Sequence, residues 1–270
     1  MLIQQRFITM LLLQLSELII YKNMRMPRII ITVICLIVSV SAPAQVAIRA
    51  DIGTVAYKNT CIDPLQVSST PGFGLQLGAD YDIHIKKRFY LTPGLYWSYR
   101  AALGDSTVEG VYGSEMLQEN FLNVPIHAKW KFDIKPEKFG MYIYVGPTFS
   151  LGMSSRSRFD LMSSGVNVEG TYNYFNGESD FKVPGFSGSV SDELNDILQE
   201  EFDAIGLRYN RFEARLDWGV GFIIKEHHEI VTGYDFGLNN RVKGSLAENN
   251  IMTASTLYIG YRYRFGNKNQ

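Results

Sequence analysis

Four histidines and two cysteines are the main supply of bases, soft nucleophiles and metal ligands in this 270-residue chain. His127, taken with Ser98 or Ser150 and an aspartate, has the residue types of a hydrolytic triad. A triad is defined by geometry, with nucleophile, base and orienting acid in hydrogen-bond series, and residue types alone do not make one. No serine sits in a strained turn motif, and Ser98 and Ser150 fall at ordinary positions within alternating segments. His227 and His228 look like a metal pair. Adjacent residues of an extended chain point to opposite faces, however, and no cysteine or third histidine is near them. They read as a solvated turn. Cys35 lies in an apolar leader, which leaves Cys61, placed in the loop after the first strand, as the one mature thiol. GxGxxG, P-loop, Cys-x-x-Cys and HExxH patterns are all absent. The expectation is therefore a non-enzyme with no catalytic residues, cofactor or metal. A net charge of -1 offers nothing to a nucleic-acid backbone, so no nucleic-acid partner is expected.

The ionisable residues that do recur are spaced by two, and that spacing describes the elements that hold them. Thr256–Phe265 reads TLYIGYRYRF, with Leu257, Ile259, Tyr261, Tyr263 and Phe265 on one face and Tyr258, Gly260, Arg262 and Arg264 on the other. Phe212–Ile224 alternates in the same way, setting Phe212, Leu216, Trp218, Val220 and Phe222 against Glu213, Arg215, Asp217, Gly219 and Gly221. Similar runs cover Val46–Tyr57, Gly72–Ile85, Phe89–Arg100, Phe121–Phe132, Met141–Leu151 and Glu229–Leu238. Pro93 cannot donate to a ladder, so a bulge is expected there. Mean hydropathy is only -0.04, as it must be when every second strand residue is polar. Aromatics at 13% with 24 glycines suit interfacial girdles and small inward residues.

Eight runs of this kind predict an all-β fold, an antiparallel transmembrane β-barrel with lipid outside and a polar lumen. The connections after the second, fourth and sixth runs are short and charged. Those after the first, third, fifth and seventh are long: Lys58–Pro71, Ala101–Asn120, Gly152–Tyr209 and Asn239–Ala254. Such parity is the asymmetry of periplasmic turns against extracellular loops. In the third long loop Ser191–Ile205 predicts a short helix with Leu194, Ile197, Leu198, Phe202 and Ile205 on one face. Val166–Phe175 predicts a ribbon; reaching the bilayer, it would raise the count to ten strands. That loop, 152–209, is expected to cap the barrel mouth, with the binding of a protein partner as its alternative role.

The residues expected to face the lumen as a structural charge network are Arg49, Asp51, Asp80, Arg100, Lys129, Glu213, Arg215, Asp217, Asp235, Arg262 and Arg264, with Asp82, His127 and Lys131 beside them. Mixed signs suit paired charges rather than a selectivity ring. An eight-stranded barrel is just wide enough for side chains to fill it, so a closed lumen is expected. The first and last strands must pair, and Arg262 or Arg264 is expected to reach Asp51 on the first.

Ahead of the barrel, Arg25 and Arg28 precede the apolar run Ile29–Val40 and the small-residue site Ala42-Pro43-Ala44. Residues 1–44 read as a secretory signal region, with Met24 or Met26 the true start and cleavage leaving Gln45. Residues 45–270 then form one barrel domain.

FLNVPIHAKWKF, YIYVGPTFSLGMSS, RFEARLDWGVGFII and TLYIGYRYRF, in this order, resemble the outer-membrane β-barrel domain family common in Bacteroidetes, which includes PorT-like proteins. Leu122, Val124, Pro125, Lys129 and Phe132 match its fourth-strand pattern xLxIPLLxKYxF. Gly146, Pro147 and Leu151 match its fifth-strand GPxxxxL. The likeness spans Gln45–Phe265 and departs in the tail Gly266–Gln270 and in the long fifth-to-sixth loop. It implies an eight-stranded barrel in the cell outer membrane, with lipid and the barrel-assembly machinery as partners and no catalytic residues to carry over. The roles it leaves open are an interaction or structural role through the loops, an accessory role in a secretion apparatus, and a narrow transport channel.

Overall fold

A computed structural model describes residues 45–265 except 63–65, 109–110, 136–137, 164–165, 183, 185–192, 194–195, 198 and 201–207. The expected signal region, start codon and cleavage site lie outside the described residues, as does the tail 266–270. In chain order the elements are β1 (Gln45–Cys61), β2 (Gln66–Lys86), β3 (Phe89–Val108), β4 (Val111–Lys135), β5 (Phe139–Ser163), β6 (Val166–Asn173), β7 (Ser179–Lys182), β8 (Arg208–Tyr209), β9 (Phe212–Ile224), β10 (His228–Gly237), β11 (Val242–Lys243), a 3₁₀ turn at Ser245–Glu248, and β12 (Asn250–Arg264).

Eight of these strands close into a ring, in the order β1-β2-β3-β4-β5-β9-β10-β12 and back to β1. The closing ladder runs antiparallel from Ala47↔Arg264 to Cys61↔Asn250. Closure matters in lipid, where an open edge would leave each backbone donor and acceptor without a partner. The outward residues are apolar and bare, among them Ile48, Ile52, Phe73, Leu77, Trp130, Ile143, Trp218, Leu257 and Ile259. Aromatic pairs stand at the two rims of this band: Trp130–Phe132, Phe139–Phe222 and Tyr263–Phe265 toward the short turns, and Phe149–Phe212 toward the long connections. These are the girdles a membrane barrel needs at its two interfaces.

The structure corrects the sequence reading in three places. The supposed loops are largely strand: β3 and β4 stay paired up to Val108↔Val111, and β5 runs on to Ser163. Above the membrane both faces of these strands are polar or mixed, so the alternation that marks a strand fades while the ladder continues. A bulge in β5 adds to this. Gly152 faces in, Met153 and Ser154 both face out, and Ser155 faces in again, with the β4 register shifting between Asn120 and Phe121. Second, Cys61 ends β1 instead of lying in the loop after it. Third, Pro93 brings no bulge, since Pro93↔Ile126 and Tyr96↔Asn123 keep one register; the irregularity falls between His84 and Lys86. The ribbon expected at Val166–Phe175 stands above the membrane as β6, pairing with Arg156–Ser163 of β5 and then with β7, so it extends the wall without joining the ring and the count stays at eight. Of the expected helix at 191–205, Glu193, Asp196, Ile197, Gln199 and Glu200 are helical, and Ile197 is exposed; the others lie outside the described residues.

Inside the ring, small residues on one wall admit large ones from another. A Cβ on Gly221 would meet the Tyr142 ring, and one on Gly219 or Gly233 would meet the Tyr144 hydroxyl. The glycine-rich β9–β10 hairpin thus leaves the space that Tyr142, Tyr144 and Tyr258 fill.

Candidate functional site: the lumen and its sealed mouth

Among the described residues, eight buried cations and eight buried carboxylates line the interior, besides His127. They fall into three tiers. The lowest is centred on Asp82, which accepts hydrogen bonds from Thr92 Oγ1 at 2.8 Å, Lys129 Nζ at 2.8 Å and Lys131 Nζ at 2.9 Å. Arg262 spans the floor, donating to Asp80 through Nε at 2.9 Å and to Glu229 through Nη1 at 2.7 Å, with its Nη2 3.1 Å from Asp82. Arg264 joins Glu229 as well. Isolated charges here would be very costly, and mutual pairing and hydrogen bonding offset that cost.

In the middle tier Arg49 donates to Asp51 at 2.8 Å, while Gln76 reaches the other Asp51 oxygen at 3.2 Å. The Arg49 guanidinium lies among the rings of Tyr258, Tyr96 and Tyr144, 5.1 to 5.9 Å from their centres. Such cation–π contact strengthens where water is excluded. His127 Nε2 is 3.1 Å from Asp217, which also accepts from Tyr258 at 2.6 Å. The triad reading finds no assembly: Ser98 is bonded by Asn123 at 2.8 Å, and the Ser150 hydroxyl has no hydrogen-bond partner among the described residues. A cavity of about 30 Å³ touching Gly53, Gly74, Gln76, Arg100, Arg215 and Asp235 is large enough for water alone.

The top tier is built partly from outside the ring. Arg100 donates to Glu213 at 3.1 Å, and Arg215 pairs with Asp235 and donates to Thr256 at 2.9 Å. Above them Arg241, on the segment after β10, points down into the barrel. It stands 2.7 Å from Glu213 and pairs with Glu119, which also accepts from Tyr57 at 2.8 Å and Ser155 at 2.8 Å. Asn240 fixes this segment, its Oδ1 accepting from the backbone of Val242 at 3.0 Å and Met252 at 2.9 Å.

Over Arg241 lies a compact apolar seal. Tyr174 and Tyr209 stack at 4.2 Å, and Tyr57, Leu117, Phe159, Tyr172, Phe181 and Val242 pack around them. Burial, the neighbouring Tyr209 phenol and Glu115 push the Tyr174 hydroxyl well above the ordinary phenol range. It therefore stays protonated and donates to Glu115 at 2.7 Å.

All eleven residues expected in the charge network have buried side chains inside the barrel. The expected partner of Asp51 is different. Arg262 and Arg264 turn to Asp80, Asp82 and Glu229, because Asp51 lies opposite Gly260 and is held by Arg49 on its own strand. Sequence reasoning missed Glu119, Glu229 and Arg241. Glu229 was legible, since it is six residues from Asp235 on the same face of β10. Glu119 and Arg241 lay in segments read as loops. His227 and His228 bond locally, His227 Nδ1 donating to the Arg264 carbonyl at 3.0 Å and His228 Nδ1 sharing a hydrogen bond with the Tyr261 hydroxyl at 2.6 Å. Among the described residues no cluster of three His, Cys, Asp or Glu could hold a metal.

A closed eight-stranded ring with an apolar outer belt, aromatic girdles and a polar, charge-paired interior defines an outer-membrane β-barrel. Residues 30–265 match the outer membrane protein beta-barrel domain, so the chain belongs to that family and resides in the cell outer membrane. A search of curated proteins finds no match. Solved structures that resemble it include neisserial surface protein A (13% identity, 82% of this chain and 99% of that one, TM-score 0.38). Ail of Yersinia pestis (14%, 81% and 98%, TM-score 0.33) and OprG of Pseudomonas aeruginosa (12%, 83% and 97%, TM-score 0.34) resemble it as well. Likeness at this level adds nothing to what the strand order already establishes.

Proposed function

We propose that this barrel is non-enzymatic and works as a structural and interaction protein, presenting its extracellular wall to a protein partner. The observation that carries this reading is the contrast between a filled lumen and an extended exterior. Charge pairs occupy the interior and an aromatic seal covers it, while β4 and β5 continue for 25 residues each. Such a wall is longer than the 9–11 residues a tilted strand needs to cross a bilayer. Photo-crosslinkers placed in whole cells at Leu103, Met162 or Thr171, on the outer face of that wall, should each capture the same envelope or extracellular protein. Crosslinking indistinguishable from a control site such as Lys86, at the opposite rim, would refute the reading.

A second reading is an accessory part of a secretion apparatus, as in PorT-like proteins. The fourth-strand match at Leu122, Val124, Pro125, Lys129 and Phe132 favours it. Capture of secretion components by the same crosslinkers would select it. We also propose that the mature chain begins at Gln45 after removal of a signal peptide. N-terminal mass spectrometry of the envelope protein should find Gln45, and peptides from before Val40 would contradict this.

A further inference from the structure

Above the membrane the outer face of β4, β5 and β6 is polar, and its charges are sorted by height. The last apolar row across the wall is Leu122, Leu151 and Phe212. One step higher Asn120 bonds Ser154 at 2.9 Å. The next row is Gln118, Arg156 and Asn173, and the one after it is Met116, Arg158, Thr171 and Asp180. Asp160 and Glu169 come higher still. Each two-residue step along a tilted strand rises about 5 Å along the membrane normal. Arg156 thus stands about 10 Å above Leu151, within reach of the headgroup layer for a side chain whose stem lies along apolar surface.

Both guanidinium groups are exposed. Arg158 has one carboxylate near it, Glu169 at 3.8 Å, in a pair open to solvent on both sides. Water and salt leave such a pair little net energy. Arg156 has no carboxylate partner among the described residues, and its neighbours Gln118 and Asn173 carry amide donors. Acids near a layer of phosphates would be repelled; below the Arg158 row the described outer face of β4, β5 and β6 carries none, and Glu178, opposite Asn173 at the start of the β7 arm, is set off from Arg156 by the width of β6. Beneath the arginines runs the outward apolar column Phe149, Leu151 and Met153, with Phe149 and Met153 exposed and Leu151 half-buried between them.

We propose that Arg156 and Arg158 bind a phosphorylated headgroup of an outer-leaflet lipid, its acyl chains lying along Phe149, Leu151 and Met153. Two guanidinium groups two residues apart on one strand face can both donate to one phosphate or to a pair of them, and the planar fork suits phosphate oxygens better than an ammonium would. The column below selects an amphiphile over a free anion.

Native mass spectrometry of the detergent-solubilised, folded protein tests this with three probes: a bis-phosphorylated lipid A, the same lipid dephosphorylated, and inorganic phosphate. Wild type should retain the phosphorylated lipid about tenfold more tightly than R156Q/R158Q does. The dephosphorylated lipid should bind the two proteins equally, and millimolar phosphate should not displace the phosphorylated one. A heat-induced gel shift in R156Q/R158Q establishes that the variant is folded. Equal retention of the phosphorylated lipid by both proteins overturns the proposal. Displacement by free phosphate overturns it too, showing an anion site that does not read the lipid.

Discussion

The floor and the mouth of this barrel are both closed by buried charge, but they are built from different parts of the chain. Every charged group at the floor belongs to a ring strand: Asp80 and Asp82 on β2, Lys129 and Lys131 on β4, Glu229 on β10, Arg262 and Arg264 on β12. Ladder hydrogen bonds hold all of them, so the floor cannot open unless the barrel does. At the mouth the ring supplies the carboxylates Glu119 and Glu213, whereas Arg241, Tyr209 and Tyr174 come from segments outside it. These segments can lift while the eight-strand ladder stays paired, losing only their own bonds to it, such as Arg241 N–H to the Met252 carbonyl and Tyr174 N–H to the Ser155 carbonyl. Local stability follows from what must break together, and the mouth is the part able to open on its own.

The largest effect should come from breaking the ring. Removing Tyr258–Gln270 deletes half the ladder to β1, and the product should neither fractionate with the outer membrane nor show a heat-dependent gel shift. Asp82→Ala should come next. It strips the common partner of Lys129, Lys131 and Arg262 from a floor that cannot rehydrate, costing about 3–5 kcal/mol in denaturant unfolding. Arg241→Met removes a partner from Glu119 and Glu213 at a mouth that can rehydrate, so it should cost roughly half as much in the same assay. Instead it should speed amide exchange in Val242 and Met252. If Arg241→Met cost as much as Asp82→Ala, the contrast between the two ends would fail. On the lipid face Trp218→Arg puts a charge on the apolar belt and should cost about 2–4 kcal/mol, independently of either end.

The smallest effect is on pH. An undocked phenol ionises near pH 10, and the docked Tyr174 ionises higher. The stabilisation of the docked seal is complete below pH 10 and is lost as the pH rises toward the docked value. Amide exchange at Tyr209 should therefore quicken on raising the pH from 9 to 11 by more than base catalysis accounts for, and Tyr174→Phe should abolish the excess.

The same contrast explains what could be read in the sequence. Asp217, Arg262 and Lys129 were legible because one face of their strands meets lipid, which forces strict alternation. Glu119 and Arg241 were not. Glu119 sits where β4 has left the membrane and its outward neighbours Gln118 and Asn120 are polar too, so period two carries no hydropathy signal. Arg241 is neither helical nor in a strand, and only the tertiary path set by Asn240 aims it into the lumen. The partner of Asp51 was misread because facing alone does not fix rotamers: Arg262 had four carboxylates to choose among, and it takes the three on β2 and β10.

The claim at the centre of this account is that a filled interior leaves the protein to act through its outside. Single-channel recording of the purified, folded wild-type protein in planar bilayers tests it most directly. No discrete conductance should appear above the bare-bilayer baseline at 100 mV in molar salt, and Arg241→Met, which loosens the mouth over an intact floor, should also stay silent. Stable, ohmic openings in the wild type would contradict it.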